Sequence, residues 1–227
     1  GHEKTHALLT EAQQRVGRRE VAEARNLINA AFQNEPQLEC EKALLLRIQL
    51  CMTLRLVPQA LHDSGTLLAK HPKDATTLAN VAGIEIAADR FGEASAHLDA
   101  AIQLEPKRAG PHVMRATLFE AQGDMKKAVE SYGAAIQLAP KNHEFLHKRA
   151  HFLTKLNRHE ESLTDTEAAL ALVPGHGHYL SMKGKSLVAL GRDDEARAAF
   201  KAVLTSPQAQ PNDKKDARDQ MRNLGGQ

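Results

Sequence analysis

Aromatic side chains make up only 4% of the 227 residues, and tryptophan is absent. A core organised around large rings is thereby excluded, and an abundance of alanine favours helices that pack closely through small side chains. Cysteine is limited to Cys40 and Cys51. Both fall on one predicted helix, where eleven residues span roughly 16 Å, beyond disulfide reach. They read as free thiols, Cys51 at a core position. No apolar run approaches the ~20 residues of a membrane span. Neither charge sign dominates: 30 Lys and Arg stand against 28 Asp and Glu, a net charge of +2. That balance excludes composition-driven attraction to nucleic acid or to a membrane surface. Phosphate-cradling glycine loops, nucleophile elbows, HExxH and CxxC are all missing, so no residues are left for a catalytic or cofactor role.

What is present is a pattern, stated most fully over Ala109–Asn142. Its first half carries Ala116 and Phe119, and a turn follows at Gly123-Asp124. Its second half carries Ala128, Tyr132, Ala135 and Ile136, whose i, i+4, i+7, i+8 spacing marks one helix face. Gly123 suits a positive-φ turn after a helix. Pro140 lacks an N–H and stops the second helix. The stretch predicts two antiparallel helices with a short connection.

The same pattern returns every 34 residues. Prolines fall at Pro36, Pro72, Pro106, Pro140 and Pro174. The middle of each first helix holds Ala12, Ile48, Ala82, Ala116, Ala150 and Gly184, small in all but Ile48. Each second helix opens on Ala24, Ala60, Ala94, Ala128, Ser162 or Ala196. This resembles the tetratricopeptide repeat (TPR), whose 34-residue period and small, aromatic and proline positions it matches. The resemblance implies an all-α, right-handed α-solenoid of antiparallel helix pairs. Six repeats are expected at 5–38, 41–74, 75–108, 109–142, 143–176 and 177–210, forming a single array over 5–210, with a capping helix over 211–224 stopped by Gly225-Gly226.

The first repeat is polar, with Glu11, Arg15, Arg18 and Arg19 on its first helix, as expected where one face meets water. Two extra residues near Glu39-Cys40 lengthen the start of the second repeat, the most apolar of the six. Pro58 suits the first turn of a helix. The last stretch carries Ala217, Met221 and Leu224 as a thin apolar stripe. Residues 1–4 read as a tag scar and disordered start. With Gly1-His2 in place of an initiator methionine and no secretory signal, the compartment stays open, with the cytoplasm favoured.

By resemblance, function belongs to the concave face, which in the family usually holds a peptide or helix. The fifth, ninth and twelfth residues of each repeat point inward. They are Leu9, Gln13, Val16; Leu45, Gln49, Met52; Ala79, Gly83, Ile86; Val113, Thr117, Glu120; His147, His151, Thr154; and Ser181, Lys185, Val188. Exposed together, Leu45, Met52, Ile86 and Val113 form the kind of apolar patch that marks a binding site. Repeat five adds basic character through Lys141, Lys148, Arg149, Lys155 and Arg158 against the acid Glu144. A protein-interaction scaffold follows, binding an extended ligand with an apolar stretch and an acidic end. The alternative is self-association through the apolar second repeat as a homo-oligomer.

Three narrower readings are weaker. His143, His147 and His151 share one face at i, i+4, i+8, with His176 and His178 within reach, and form a candidate metal site. The carboxylate clamp that some family members use for chaperone tails is absent: Asn80 stands at a sixth place, but Leu45, Gln49, Gly110 and Met114 occupy the others. RNA binding is disfavoured, since no Phe, Tyr or Trp lies among the inward residues.

Overall fold

In the computed structural model, residues 1–225 are described. Among them lie thirteen α-helices and no strand. They group into two compact units, Gly1–Pro106 and the chain from Lys107 onward. The stop expected at Gly225-Gly226 lies partly outside the described residues.

Unit 1 holds α1 (His2–Gly17), α2 (Val21–Asn34), α3 (Glu41–Thr53), α4 (Val57–Lys70), α5 (Ala75–Ala87) and α6 (Phe91–Leu104). Unit 2 holds α7 (Ala109–Ala121), α8 (Met125–Leu138), α9 (His143–Lys155), α10 (His159–Leu172), α11 (Gly177–Ala189), α12 (Asp193–Thr205) and α13 (Pro211–Gly225). Odd and even helices pair as antiparallel hairpins, and each unit is a stretch of α-solenoid. In unit 2 each hairpin packs its second helix on the next first helix, and α13 lies against α11 and α12. None of the described helices is long and apolar enough to cross a membrane.

The turn inside every hairpin has one design. The residue after the first helix's C-cap takes φ near +60° to +77°: Arg19, Arg55, Asp89, Gly123, Asn157 and Gly191. The next N–H reaches back five residues, as in Asp124 N to Phe119 O at 2.8 Å and Leu56 N to Cys51 O at 2.7 Å. This closes the orphan carbonyls of the helix end. Glycine and asparagine accept positive φ readily, whereas a side chain such as arginine costs roughly 1–2 kcal/mol there. Arg55 is exposed, so Arg55→Gly should stabilise unit 1 by about 0.5–1 kcal/mol after glycine's own entropy cost. A urea midpoint that falls in the variant would contradict this.

The second helices end before proline. Glu35, His71, Glu105, Ala139 and Val173 leave the helical region, with φ from −148° to −129° and ψ from 61° to 80°, because a following proline disfavours helical backbone. The small residues at the two repeating positions are buried throughout, from Ala12 and Ala24 to Gly184 and Ala196. Gly184 shows why: a Cβ there would lie 2.5 Å from the Phe200 ring. Cys51 is wholly enclosed in the unit 1 core, and burial pushes its thiol up to about 12, so it is not a reactive thiolate.

At the start of the chain, where a tag scar and disorder are expected over 1–4, α1 begins at His2. The Asn34 side-chain amide donates to the Gly1 carbonyl and to the Thr5 hydroxyl, both at 2.8 Å, and so ties the first turn to the end of α2.

Candidate peptide-binding faces

The inner face of unit 1 would be made by α1, α3 and α5. Its apolar wall is largely consumed by the unit's own packing. Leu9 and Ala79 are buried, Ile86 is only 7% exposed, and Met52 packs against the core. Leu45 remains in solvent at 43%; Gln49 and Gln13 are exposed, and Gly83 and Val16 are half-buried. The expectation that Leu45, Met52, Ile86 and Val113 are exposed together therefore does not hold. A repeat number gives the direction of a side chain on its own helix, but it does not say what lies beside it.

In unit 2 the first helices are α7, α9 and α11. On α7, Val113 and Thr117 are half-buried and Glu120 is exposed. The Thr117 hydroxyl donates to the Val113 carbonyl at 3.2 Å. On α9, Thr154 turns its hydroxyl to the Ala150 carbonyl and to Ser162. Lys148, His151 and Lys155 are exposed. Their i, i+3, i+7 spacing places them on one stripe. The other basic residues counted for this repeat contribute less than expected. Arg149 is held bidentate by Asp165 at 2.7 and 2.6 Å, and Arg158 by Glu161 at 2.6 Å. Arg149 is matched within the fold and Arg158 by an exposed carboxylate on the surface, so the basic surface of α9 narrows to the stripe, with Lys141 exposed just ahead of the helix.

The histidines turn mostly inward. His143 Nδ1 and the Tyr179 hydroxyl share a hydrogen bond of 2.8 Å. The His176 ring stacks on Tyr179 with centroids 3.9 Å apart. The His147 ring lies 5.1 Å from Tyr179 and 5.0 Å from His178. Nδ1 of His147 and of His176 are enclosed without a hydrogen-bond partner, as suits neutral rings. Burial pushes His147 down to about 4, with His178 and His151 adding repulsion. Burial also lowers His151, reinforced by Lys155 and Lys148. It lowers His176 too, where His178 repels a proton. Among the described residues no three His, Cys, Asp or Glu side chains are placed to hold one metal ion. His143, His147 and His151 do not converge on one point: the first two face Tyr179, and His151 is exposed beside Phe152. The common helix face was legible, but Tyr179 as its partner was not.

On α11, Ser181 is buried, Val188 is half-buried and Lys185 is exposed. Lys185 and Ser181 both contact the same oxygen of Asp216 on α13, each at 2.8 Å. The fifth and ninth places of repeat six are therefore filled by the chain's own carboxylate.

The sequence reading missed a set of ties between paired helices. Arg47 donates to both oxygens of Asp63 at 2.7 Å, and Arg149 meets Asp165 sixteen residues on in the same way. His97 meets Glu85 at 2.8 Å. Asp63, His97 and Asp165 all stand at the twenty-third place of their repeats, a recurrence that would have flagged them.

A model of the tetratricopeptide repeat matches residues 82–143 and 147–214, more than half of the chain. No curated protein matches it. Among solved structures, PilW, described as a widely conserved type IV pilus biogenesis factor, is similar over 96% of this chain and 98% of its own, with a TM-score of 0.69 and 15% identity. PilF of Pseudomonas aeruginosa is similar over 98% of each chain, with a TM-score of 0.62 and 15% identity. YrrB, described as a TPR protein with an unusual peptide-binding site, is similar over 86% of this chain and 97% of its own, with a TM-score of 0.61 and 14% identity. At these identities the likeness is one of fold.

Proposed function

The chain belongs to the tetratricopeptide repeat family, and from that premise we propose that it is a non-catalytic scaffold that binds a peptide or helix of a partner protein. The ligand lies on the first-helix face of unit 2, with an acidic stretch against α9. The observation that carries this reading is the exposed stripe of Lys148, His151 and Lys155. Each exposed charge contributes modestly by itself. Lys148 and Lys155 are the permanent charges of the stripe and raise the association rate of an acidic ligand, while His151 between them, its proton held less tightly through burial and the two lysines, is a neutral ring at neutral pH. On α7 the half-buried Val113 and Thr117 and the exposed Glu120 supply a mixed surface, with Glu120 near enough to act on the charge of His151.

Self-association through the second repeat has less support. Met52 and most of α3 face the unit 1 core, which leaves Leu45 as an isolated exposed side chain, and single exposed apolar residues are ordinary.

The test is capture from native lysate with the wild type and with Lys148→Glu, His151→Glu, Lys155→Glu combined, read by mass spectrometry. Proteins held by the wild type should be lost from the triple variant at unchanged helicity. Recovery of the same proteins in equal amount would remove the α9 stripe from the account.

A further inference from the structure

Helix α13 buries fewer side chains than either helix it packs against. Of its fifteen residues only Ala217 and Leu224 are buried, with Met221 packed partly against the same cluster. The neighbouring α12 buries Ala196, Ala199, Phe200 and Val203. The polar ties of α13 to α11 and α12 run through Asp213, 3.7 Å from His178, and through Asp216 and Leu224. Asp216 reaches Ser181 and Lys185 at 2.8 Å, and Arg197 donates to the Leu224 carbonyl at 2.7 Å. The Lys185–Asp216 pair is itself solvated, with side chains 48% and 34% exposed, so water weakens it. Elements with few buried apolar contacts and solvated polar ones open locally before the rest of the fold.

The surface beneath is shaped for a helix. Ala217 is fully enclosed, so only a small side chain fits at its place. Ser181 and Lys185 offer a hydroxyl and an ammonium to one carboxylate a single residue earlier. Leu187, Ala199, Phe200 and Val203 form the apolar floor that Met221 and Leu224 help to cover. Uncovered, that floor requires an occupant.

We infer that the face of α11 and α12 in unit 2 is a second docking site, one that takes an amphipathic helix from a partner in exchange for α13. The partner helix carries an acid followed at once by a small residue, then apolar residues four and seven places after the small one. This is the pattern of Asp216, Ala217, Met221 and Leu224. The site is separate from the α9 stripe, and neither reading needs the other: the variants that test this one leave Lys148, His151 and Lys155 in place.

The experiment uses the full chain and a fluorescein-labelled synthetic peptide of residues 211–225 as probe. Met221→Ser with Leu224→Ser removes the apolar anchors of α13, and Ala217→Glu undocks it by a different route. Fluorescence anisotropy should show saturable binding of the peptide to both variants. Binding to the wild type should be at least tenfold weaker, because its tethered helix competes at high effective concentration. A peptide carrying Asp216→Lys should bind the variants at least tenfold more weakly than the parent peptide. Hydrogen exchange on the wild type provides a measurement that needs no variant: α13 amides should exchange at least tenfold faster than those of α11 and α12. Absence of saturable binding to helical variants, equal binding of the two peptides, or α13 amides as protected as those of α11 would each overturn the inference.

Discussion

Asp63→Ala is expected to destabilise unit 1 by about 3–5 kcal/mol, the usual range when one partner of a buried ion pair is removed. Arg47 is 0% exposed. Its guanidinium donates to both Asp63 oxygens at 2.7 Å, to the Glu35 carbonyl at 2.8 Å and to the Pro36 carbonyl at 3.1 Å, and it lies 3.8 Å over the Phe32 ring. One side chain thus joins α3, α4 and the loop after α2. Without Asp63, two of its donors are left facing an enclosed space, and an unmatched buried charge costs far more than a lost contact. Replacing both partners, Arg47→Met with Asp63→Leu, should restore most of the loss, since a buried pair exchanged for packed apolar groups is often neutral. Urea unfolding followed by circular dichroism reads both variants. If Asp63→Ala unfolds at the wild-type midpoint, the pair is not holding the hairpin. The matching Arg149–Asp165 tie in unit 2 leaves Arg149 28% exposed, so water can replace part of the lost carboxylate and Asp165→Ala should cost less.

The second large effect is one of pH. His147 titrates at about 4 in the folded chain against about 6.5 when unfolded. The neutral ring is the form the fold favours, so the unfolded chain binds the proton more tightly and protonation drives unfolding. The stabilising contribution is therefore whole above about pH 6.5, shrinks as pH falls, and is gone below about pH 4. At 1.36 kcal/mol per pKa unit the loss is about 2–3 kcal/mol for this partly solvated ring. His151 and His176 shift in the same direction and steepen the slope. The charged and titratable groups that face this cluster are mostly bases: His178, Lys148 and Lys155 repel an added proton, while Glu120 and Asp213 offset part of the repulsion. Thermal unfolding from pH 7.5 to 4 should show unit 2 losing stability below pH 6.5. His147→Leu should flatten that slope, because it removes the largest contributor. A variant that keeps the full acid sensitivity would place the titration elsewhere.

The two parts of the account differ in how much the sequence disclosed. The period announced the hairpins, and Gly123, Asn157 and Gly191 announced three of their turns. Arg19 and Arg55 take the same positive φ without any local sign of it, because the repeat imposes on arginine a conformation it does not prefer. The small positions were legible for a physical reason: helices this close leave no room for a larger side chain, as the Phe200 ring against Gly184 shows. Charge was harder to read. Arg149 and Arg158 look like surface cations in a linear string, yet their carboxylates lie sixteen and three residues ahead. The apolar wall failed at Ile86 because burial depends on neighbours that a repeat position does not name. The last helix was legible in the thin stripe of 211–224, but the seat of Asp216 between Ser181 and Lys185 was not, since it joins residues 31 and 35 positions apart.

The central claim is that a partner's acidic segment binds along α9 of unit 2. It is tested most directly by calorimetric titration of a captured partner segment into the wild type and into the Lys148→Glu, His151→Glu, Lys155→Glu variant at low and high salt. The account predicts that affinity falls at least tenfold in the variant, and that the wild type weakens as salt screens the stripe. Equal affinity in both proteins, unchanged by salt, would contradict it.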